Sequence, residues 1–256
     1  MPSIAKLGEF GVICARHPGV VAVKGWTIAD CKASFNGESQ AQHYELPTTL
    51  LDFSRSREVA EFFARCRPVS GKDRVWEPVP SSKFSAVLYT VDLALLLGDE
   101  KTATQFGLTG PSPFLRPHRQ KAVGLYLRGD CLTKQPYVSE QVLDYSASRA
   151  NELLKLFDGG RRLFPDDVMG RIAQRIKASR DIAREALIAA RIHIKAGKPL
   201  ELLEKDLIAL GYTVSGRGLL ITEEEFNQMG VDWVQIRDEY LRDMRIRAYS
   251  DHIQEP

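Results

Sequence analysis

The sequence predicts an α+β fold whose last hundred residues are mainly helical, and three observations predict it. Phe84 to Leu93 alternates, with Ala86, Leu88 and Thr90 set against Val87, Tyr89 and Val91, which is the period of a half-buried strand. From Asp166 to Ala196, apolar residues fall at Val168, Ile172, Ile176, Ala183, Leu187, Ala190 and Ile194, one face at helical spacing. With 44% hydrophobic and 27% charged residues, a chain of 256 can build a sizeable core.

Taken in order, Val20 to Val23 is a short β-branched run closed by Lys24-Gly25, the pattern of a buried strand and a turn. Asn36-Gly37-Glu38-Ser39 is polar and follows it. Leu50, Leu51, Val59, Phe62 and Phe63 suit a helix starting near Ser56, with Ser54 or Ser56 as its N-cap. Arg67 to Ser82 holds Pro68, Gly71, Pro78 and Pro80 and reads as a loop. Gly98 to Pro117 is a long irregular stretch, with Gly107, Gly110, Pro111 and Pro113 inside it. Loops of more than about 12–15 residues are usually functional or mobile. A strand is expected at Val123 to Leu127, then a short helix over Asn151 to Phe157, stopped by Gly159-Gly160. After the long helix, Leu200 to Tyr249 reads as helix, short strand, a turn at Ser215-Gly216-Arg217-Gly218, short strand and helix. The expected division is a first domain over residues 1–165 and a helical region over 166–256.

Composition excludes several classes. No window approaches the roughly 18 uninterrupted apolar residues of a membrane span, so no membrane partner is expected. The opening Met1-Pro2-Ser3-Ile4-Ala5-Lys6 lacks the apolar stretch of a secretory signal. Cys14, Cys31, Cys66 and Cys131 lie far apart with no CxxC pair, which favours reduced thiols in a cytoplasm over a zinc cage or disulfide framework. There is no P-loop, no GxSxG elbow and no HExxH helix, and the five histidines show no i,i+4 pair. His193, among isoleucines, is expected to be structural.

Net charge is only +2, but it is segregated. Residues 161–198 carry ten basic against four acidic side chains, a local +6, and residues 199–256 carry six against twelve, a local −6. Lys177, Arg180, Arg184, Arg191 and Lys195 fall in a narrow arc opposite the apolar face of the expected helix. Such a stripe is ordinarily a solvated face; its sharper reading is a surface for phosphates or an acidic partner. No Phe or Tyr interleaves with it, which argues against base stacking. The acidic run Glu223-Glu224-Glu225 is a candidate to fold back over the basic helix.

One stretch stands apart, Ala41 to Ser54, because it sets a dense polar group inside a segment otherwise written for burial. Asp52 beside Leu50, Leu51 and Phe53 is either buried and paired or aimed into a cleft. Helix capping by Asp52 and Ser54 would explain those two residues, but not Gln42-His43-Tyr44. The run Gln42-His43-Tyr44-x-Leu46-Pro47-Thr48-x-Leu50-Leu51-Asp52-Phe53-Ser54, followed by Ala60-x-Phe62-Phe63-Ala64, closely resembles the signature of the FRG domain family. That family reads Gln-His-(Tyr/His)-Gly-Leu-Pro-Thr-Arg-Leu-Leu-Asp-Trp-(Thr/Ser), then a helix with Ala-x-x-Phe-Ala. Phe84 to Tyr89 sits where the family has its next strand, and Leu163-Phe164-Pro165-Asp166 with Gly170 and Ala173 is similar to a late element. The resemblance covers roughly residues 20–178. Val23-Lys24-Gly25 takes the place of the family's aromatic-Arg-Gly, and lysine lacks the bidentate fork of arginine. The interval from there to Gln42 is short, and Arg119-Gln120 is followed by Gly124 two positions later than in the family's Gln-x-Gly element.

The resemblance implies a fold related to ADP-ribosyltransferases, with split, mainly antiparallel sheets and NAD bound as substrate between them. It implies Lys24 and Gly25 at the pyrophosphate, Tyr44 stacked on nicotinamide, and His43 bonded to a ribose hydroxyl. Asp52 or Gln120 would position the acceptor nucleophile, with Gln42, Thr48 and Ser54 also binding the dinucleotide. The expected function is a NAD-dependent ADP-ribosyltransferase, a toxin–antitoxin or phage-defence effector modifying a nucleic-acid or protein acceptor, with an antitoxin or other regulatory protein as partner. The alternative is a catalytically weakened FRG-fold binding module that docks a partner through its charged C-terminal region.

Overall fold

In the computed structural model, described for residues 2–24, 26–28, 31–32, 35, 37–70, 75–98, 108–109, 112–126, 131–193, 199–247 and 253–254, helices are interspersed with small sheets, an α+β chain. It forms two compact units, one from Met1–Thr48, Ser112–His118 and Asp166–Pro256, the other from Thr49–Pro111 and Arg119–Pro165. Residues 1–48 group with the C-terminal helices. Among the described residues, no helix is long and apolar enough to cross a membrane.

The first unit is mainly helical. Helix Pro2–Ala15 buries Phe10, Ile13 and Cys14 against Tyr44, Leu46, Phe114, Ile172, Ile176 and Met229. Gly8 lets it approach the Arg184–His193 helix, since a Cβ there would meet the Ala186 carbonyl oxygen at 2.4 Å. The strand expected at Val20 to Val23 is instead helix Pro18–Val23. Pro18 opens it, and the His17 ring caps it by accepting the Gly19 N–H at 3.1 Å, so two local start signals override β-branched propensity. Burial pushes His17 down to about 4, which keeps the ring a neutral acceptor at physiological pH.

The single long helix expected from Asp166 to Ala196 is two helices, Val168–Ala178 and Arg184–His193, with strand Asp181–Ala183 between them. The Ser179 hydroxyl closes the break, donating to the Asp181 carbonyl at 2.7 Å and accepting its N–H at 3.1 Å. Apolar spacing survives the break because strand and helices all point Ile172, Ile176, Ile182 and Leu187 inward. The basic residues therefore do not form one stripe, and Lys195 lies outside the described residues, as does the His193 side chain. Asp181–Ala183 pairs in parallel with Thr213–Ser215, which follows helix Leu200–Ala209. The second short strand expected after Gly218 is not among the described elements. There Arg217 folds back on buried Glu9 with two bonds of 2.8 and 2.9 Å, and the Leu220 N–H adds a third at 2.9 Å. Helix Glu223–Arg247 then buries Trp233, Ile236 and Tyr240 against Val23, Trp26 and Leu115. A small antiparallel sheet joins Thr27–Ile28 to Cys31–Lys32 and Ile253–Gln254.

The sheets of the second unit are antiparallel. Leu50–Ser54 pairs with Ala122–Tyr126, which pairs with Leu108–Thr109; Cys66–Pro68 pairs with Trp76–Pro78; Ala86–Val91 pairs with Val138–Leu143. The strand at 86–91 falls where alternation places it, and the strand at 122–126 lies one residue before the expected Val123 to Leu127. Ser56 caps helix Arg57–Arg65, as its sequence position requires. The loop expected over Arg67 to Ser82 is instead partly a hairpin, its prolines at strand ends where no amide donor is missed. The helix expected from Asn151 begins at Ala147, capped by the Ser146 hydroxyl. Val59, Phe62, Leu153 and Leu163 form one core with Trp76 beside it, and Leu96, Leu125 and Tyr137 form another. Gly160, at φ 97°, lies against Trp76, where a Cβ would come within 2.5 Å of the indole.

Candidate functional site

The Gln-His-Tyr signature is the C-terminus of helix Gly37–His43. The Glu45 N–H bonds the Gln42 carbonyl at 2.9 Å and the Leu46 N–H bonds the Ala41 carbonyl at 3.0 Å, the paired bonds of a Schellman stop. Its left-handed residue is Glu45, φ 62°, where the FRG pattern has glycine. The glutamate carboxylate reaches Lys177 Nζ at 2.7 Å, tying the turn to helix Val168–Ala178 and holding the Glu45 carboxyl below its usual range chiefly through that hydrogen bond. This turn sends Tyr44 and Leu46 into the core and leaves Gln42 and His43 half-buried. The Thr48 hydroxyl bonds Gln42, closing the loop around Pro47.

Tyr44 joins a buried polar cluster. Its hydroxyl donates to Asp167 Oδ2 at 2.8 Å, Arg116 lies over its ring at 4.8 Å, and Arg116 donates to the His43 carbonyl at 3.2 Å. Asp167 caps helix Val168–Ala178 through the Gly170 N–H at 2.7 Å. A Cβ at Gly170 would stand 2.8 Å from the Arg116 guanidinium, so a larger residue there would displace that side chain. Burial pushes the Asp167 carboxyl up against the opposing pull of Arg116, and burial with the nearby Asp167 charge pushes the Tyr44 phenol well up. The Tyr44 ring, 1% exposed between Arg116 and Phe10, does not present the open face expected for nicotinamide.

Asp52, Ser54 and Gln120 lie in the second unit. Asp52 stands opposite Gly124, and the face they share also holds Leu50 and Ala122. Leu50, Gly124 and Ala122 are buried, Ser54 is half-buried and Asp52 is exposed, opposite a residue with no side chain. The helix cap is Ser56 rather than Asp52 or Ser54. The Ser54 hydroxyl donates to the Gln120 carbonyl at 2.8 Å and accepts the Ser56 N–H at 3.1 Å. Gln120 is buried, its amide donating to the Leu163 carbonyl at 3.0 Å. The same unit buries Glu61, which takes bonds from Arg57 and Arg149 at 2.8 Å each and has Arg65 at 4.0 Å.

The nine sequence-predicted residues are thus divided. Lys24, Gln42, His43, Tyr44 and Thr48 are in the first unit; Asp52, Ser54 and Gln120 are in the second; Gly25 lies outside the described residues. Lys24 is exposed and ends helix Pro18–Val23, its N–H bonding the Val20 carbonyl. The basic segment is met by acids: Arg171 by Asp166, Arg175 by Glu225, Lys177 by Glu45 and Arg184 by Glu204. The expected fold-back of the acidic run is visible in the Arg175–Glu225 pair. Sequence reasoning missed Arg116, Asp167 and Glu61; only the cap spacing from Asp167 to Gly170 was there to find.

The FRG domain family model matches residues 24–73, which include the Gln42 to Ser54 signature and helix Arg57–Arg65. No curated protein and no solved structure matches the chain.

Proposed function

We propose that the chain is a NAD-dependent ADP-ribosyltransferase in which Asp52 faces the reaction. The observation that carries this reading is exposed Asp52 opposite Gly124, on a strand face where Leu50 and Ala122 are buried, within the FRG signature. Breaking the nicotinamide–ribose bond sends its electron pair to nicotinamide and leaves an oxocarbenium-like centre. A fixed carboxylate stabilises that positive charge and takes the proton of the attacking acceptor, so that acceptor–H and NAD give ADP-ribosyl acceptor, nicotinamide and a proton. The small antiparallel sheets of the second unit support the related fold. The family resemblance supports a toxin or phage-defence setting with a regulatory partner. The covered Tyr44 ring favours the second reading, a binding module whose cleft has lost its stacking platform.

Labelled NAD incubated with the chain and separate RNA, DNA and protein pools decides between them. Transfer to one pool, reduced about 10²-fold or more in Asp52→Ala, is the expected result. No label on any pool, with no NAD binding by calorimetry, replaces the enzyme with the binding module.

A further inference from the structure

We infer that helix Glu223–Arg247 pairs antiparallel with the same helix of a second copy of this chain, through the face turned away from its own core. One side of the helix buries Met229, Asp232, Trp233, Ile236 and Tyr240. The opposite side carries Glu223, Asn227, Val231, Val234, Asp238 and Arg242, all exposed, at successive steps of four, four, three, four and four residues. Those steps hold the six on one stripe, about 28 Å from end to end. Val231 and Val234, at its centre, are 52% and 64% exposed. Valine is a weaker helix former than alanine, leucine or lysine, so two on an uncovered face cost stability and bury little. Gly230, one turn before Val234, is a poorer helix former still. Among the described residues a Cβ there would meet nothing within 4 Å, so packing inside the chain does not call for it. A second helix closing on this face accounts for both choices.

The stripe is complementary to its own reverse. Turned about the point midway between Val231 and Val234, it sets Val231 against Val234, Asn227 against Asp238 and Glu223 against Arg242 of the other copy. Four valines then cover one another, an amide meets a carboxylate on each side of them, and an acid meets a base at each end. Parallel pairing would instead set Glu223, Asp238 and Arg242 each against its own copy, three like-charge contacts. A closed two-fold contact demands this self-complementarity, and a foreign surface would not, which commits the face to a second copy. Steps of mostly four follow the i±4 rows, whose ridges pack with the helices crossing at about 50°. Crossed helices part toward the ends of the contact, and the long side chains, Glu223 and Arg242, stand there with the short valines at the centre. Asp238 has Arg237 of its own helix at 3.3 Å, an exposed pair that a new partner can replace at little cost. The contact stands whether or not the chain transfers ADP-ribose.

Sedimentation velocity of the full chain from about 1 to 500 µM tests the pairing, because a single helix face lies at the weak end of specific interfaces. A monomer giving way to a dimer, and to nothing larger, is the expected result. Val234→Glu, an exposed change to a good helix former that leaves the fold intact, should weaken the dimer about tenfold or more. Glu223→Arg and Arg242→Glu should each weaken it about three- to tenfold by setting like charges together at both ends. The double change Glu223→Arg with Arg242→Glu should return the affinity to about that of the unaltered chain, which only the antiparallel register explains. A monomer at every concentration overturns the pairing and leaves the stripe to a different protein. A dimer indifferent to Val234→Glu, or a double change no tighter than the single ones, overturns it equally.

Discussion

Asp167 in the first unit and Glu61 in the second are both nearly inaccessible carboxylates with arginine close by, yet burial prevails at one and the arginines prevail at the other. At Glu61 the burial cost is the largest single influence, but direct bonds from Arg149 and Arg57 together overcome it and leave the group more acidic than usual. At Asp167 burial is again the largest influence. Arg116 opposes it, while the like charge of Asp232, which accepts the Val168 N–H at 3.3 Å, adds to it. What differs is the company of each carboxylate, cations on one side and a second acid on the other. The first unit therefore buries charge at a cost, and the second uses charge to join helix Arg57–Arg65 to helix Ala147–Leu156.

The largest expected effect comes from breaking the second cluster. Glu61→Ala leaves buried Arg65 without its acid, and should cost about 3–5 kcal/mol in denaturant unfolding. In the first cluster, Tyr44→Phe removes the hydrogen bond to Asp167 and should cost about 1–3 kcal/mol, because a buried acceptor is left short of a donor. A loss at Tyr44 equal to that at Glu61 would erase the distinction between the units.

The opposite shifts also predict opposite responses to acid. Glu61 is lowered on folding, so its stabilisation is present above the ordinary glutamate range and is lost as pH falls through its folded value. Asp167 is raised, so its contribution is fullest below the ordinary aspartate range and is lost as pH rises through its folded value. Amide exchange followed from neutral pH into the acid range should show helix Arg57–Arg65 losing protection while the start of helix Val168–Ala178 is relatively favoured. Parallel losses would show that the clusters do not control their units. Smallest of all, Glu45→Gly relieves about 1 kcal/mol of left-handed strain and gives up an exposed ion pair of about 0.5 kcal/mol. A net gain of about 0.5 kcal/mol should appear, and a cycle with Lys177→Ala isolates the pair.

Local signals in the sequence were readable where they were strong and uncontested. The alternation around Ala86–Val91 and the Ser56 cap each name their element. Val20 to Val23 misleads because proline and a histidine cap outweigh four β-favouring side chains. The break at Ser179 is hidden because a strand laid against the same core keeps the apolar beat going. Asp52 was legible as an unusual acid, but its openness depends on Gly124, a partner set by strand register. The Tyr44–Asp167 bond joins positions 123 residues apart, and no spacing rule reaches that far.

Glu9 and Arg217, 208 residues apart, carry a consequence for the order in which the chain is made. Residues 49–165 contain the whole second unit, interrupted only by Ser112–His118 of the first, so that unit can assemble while later residues are still being added. Helix Pro2–Ala15 is made before most of the residues that cover it. Its Phe10 and Ile13 have no permanent cover until Ile172, Ile176 and Met229 exist, and its buried acid has no guanidinium until Arg217 arrives. During synthesis this helix is thus left waiting, open to a chaperone or to early aggregation until those later residues arrive.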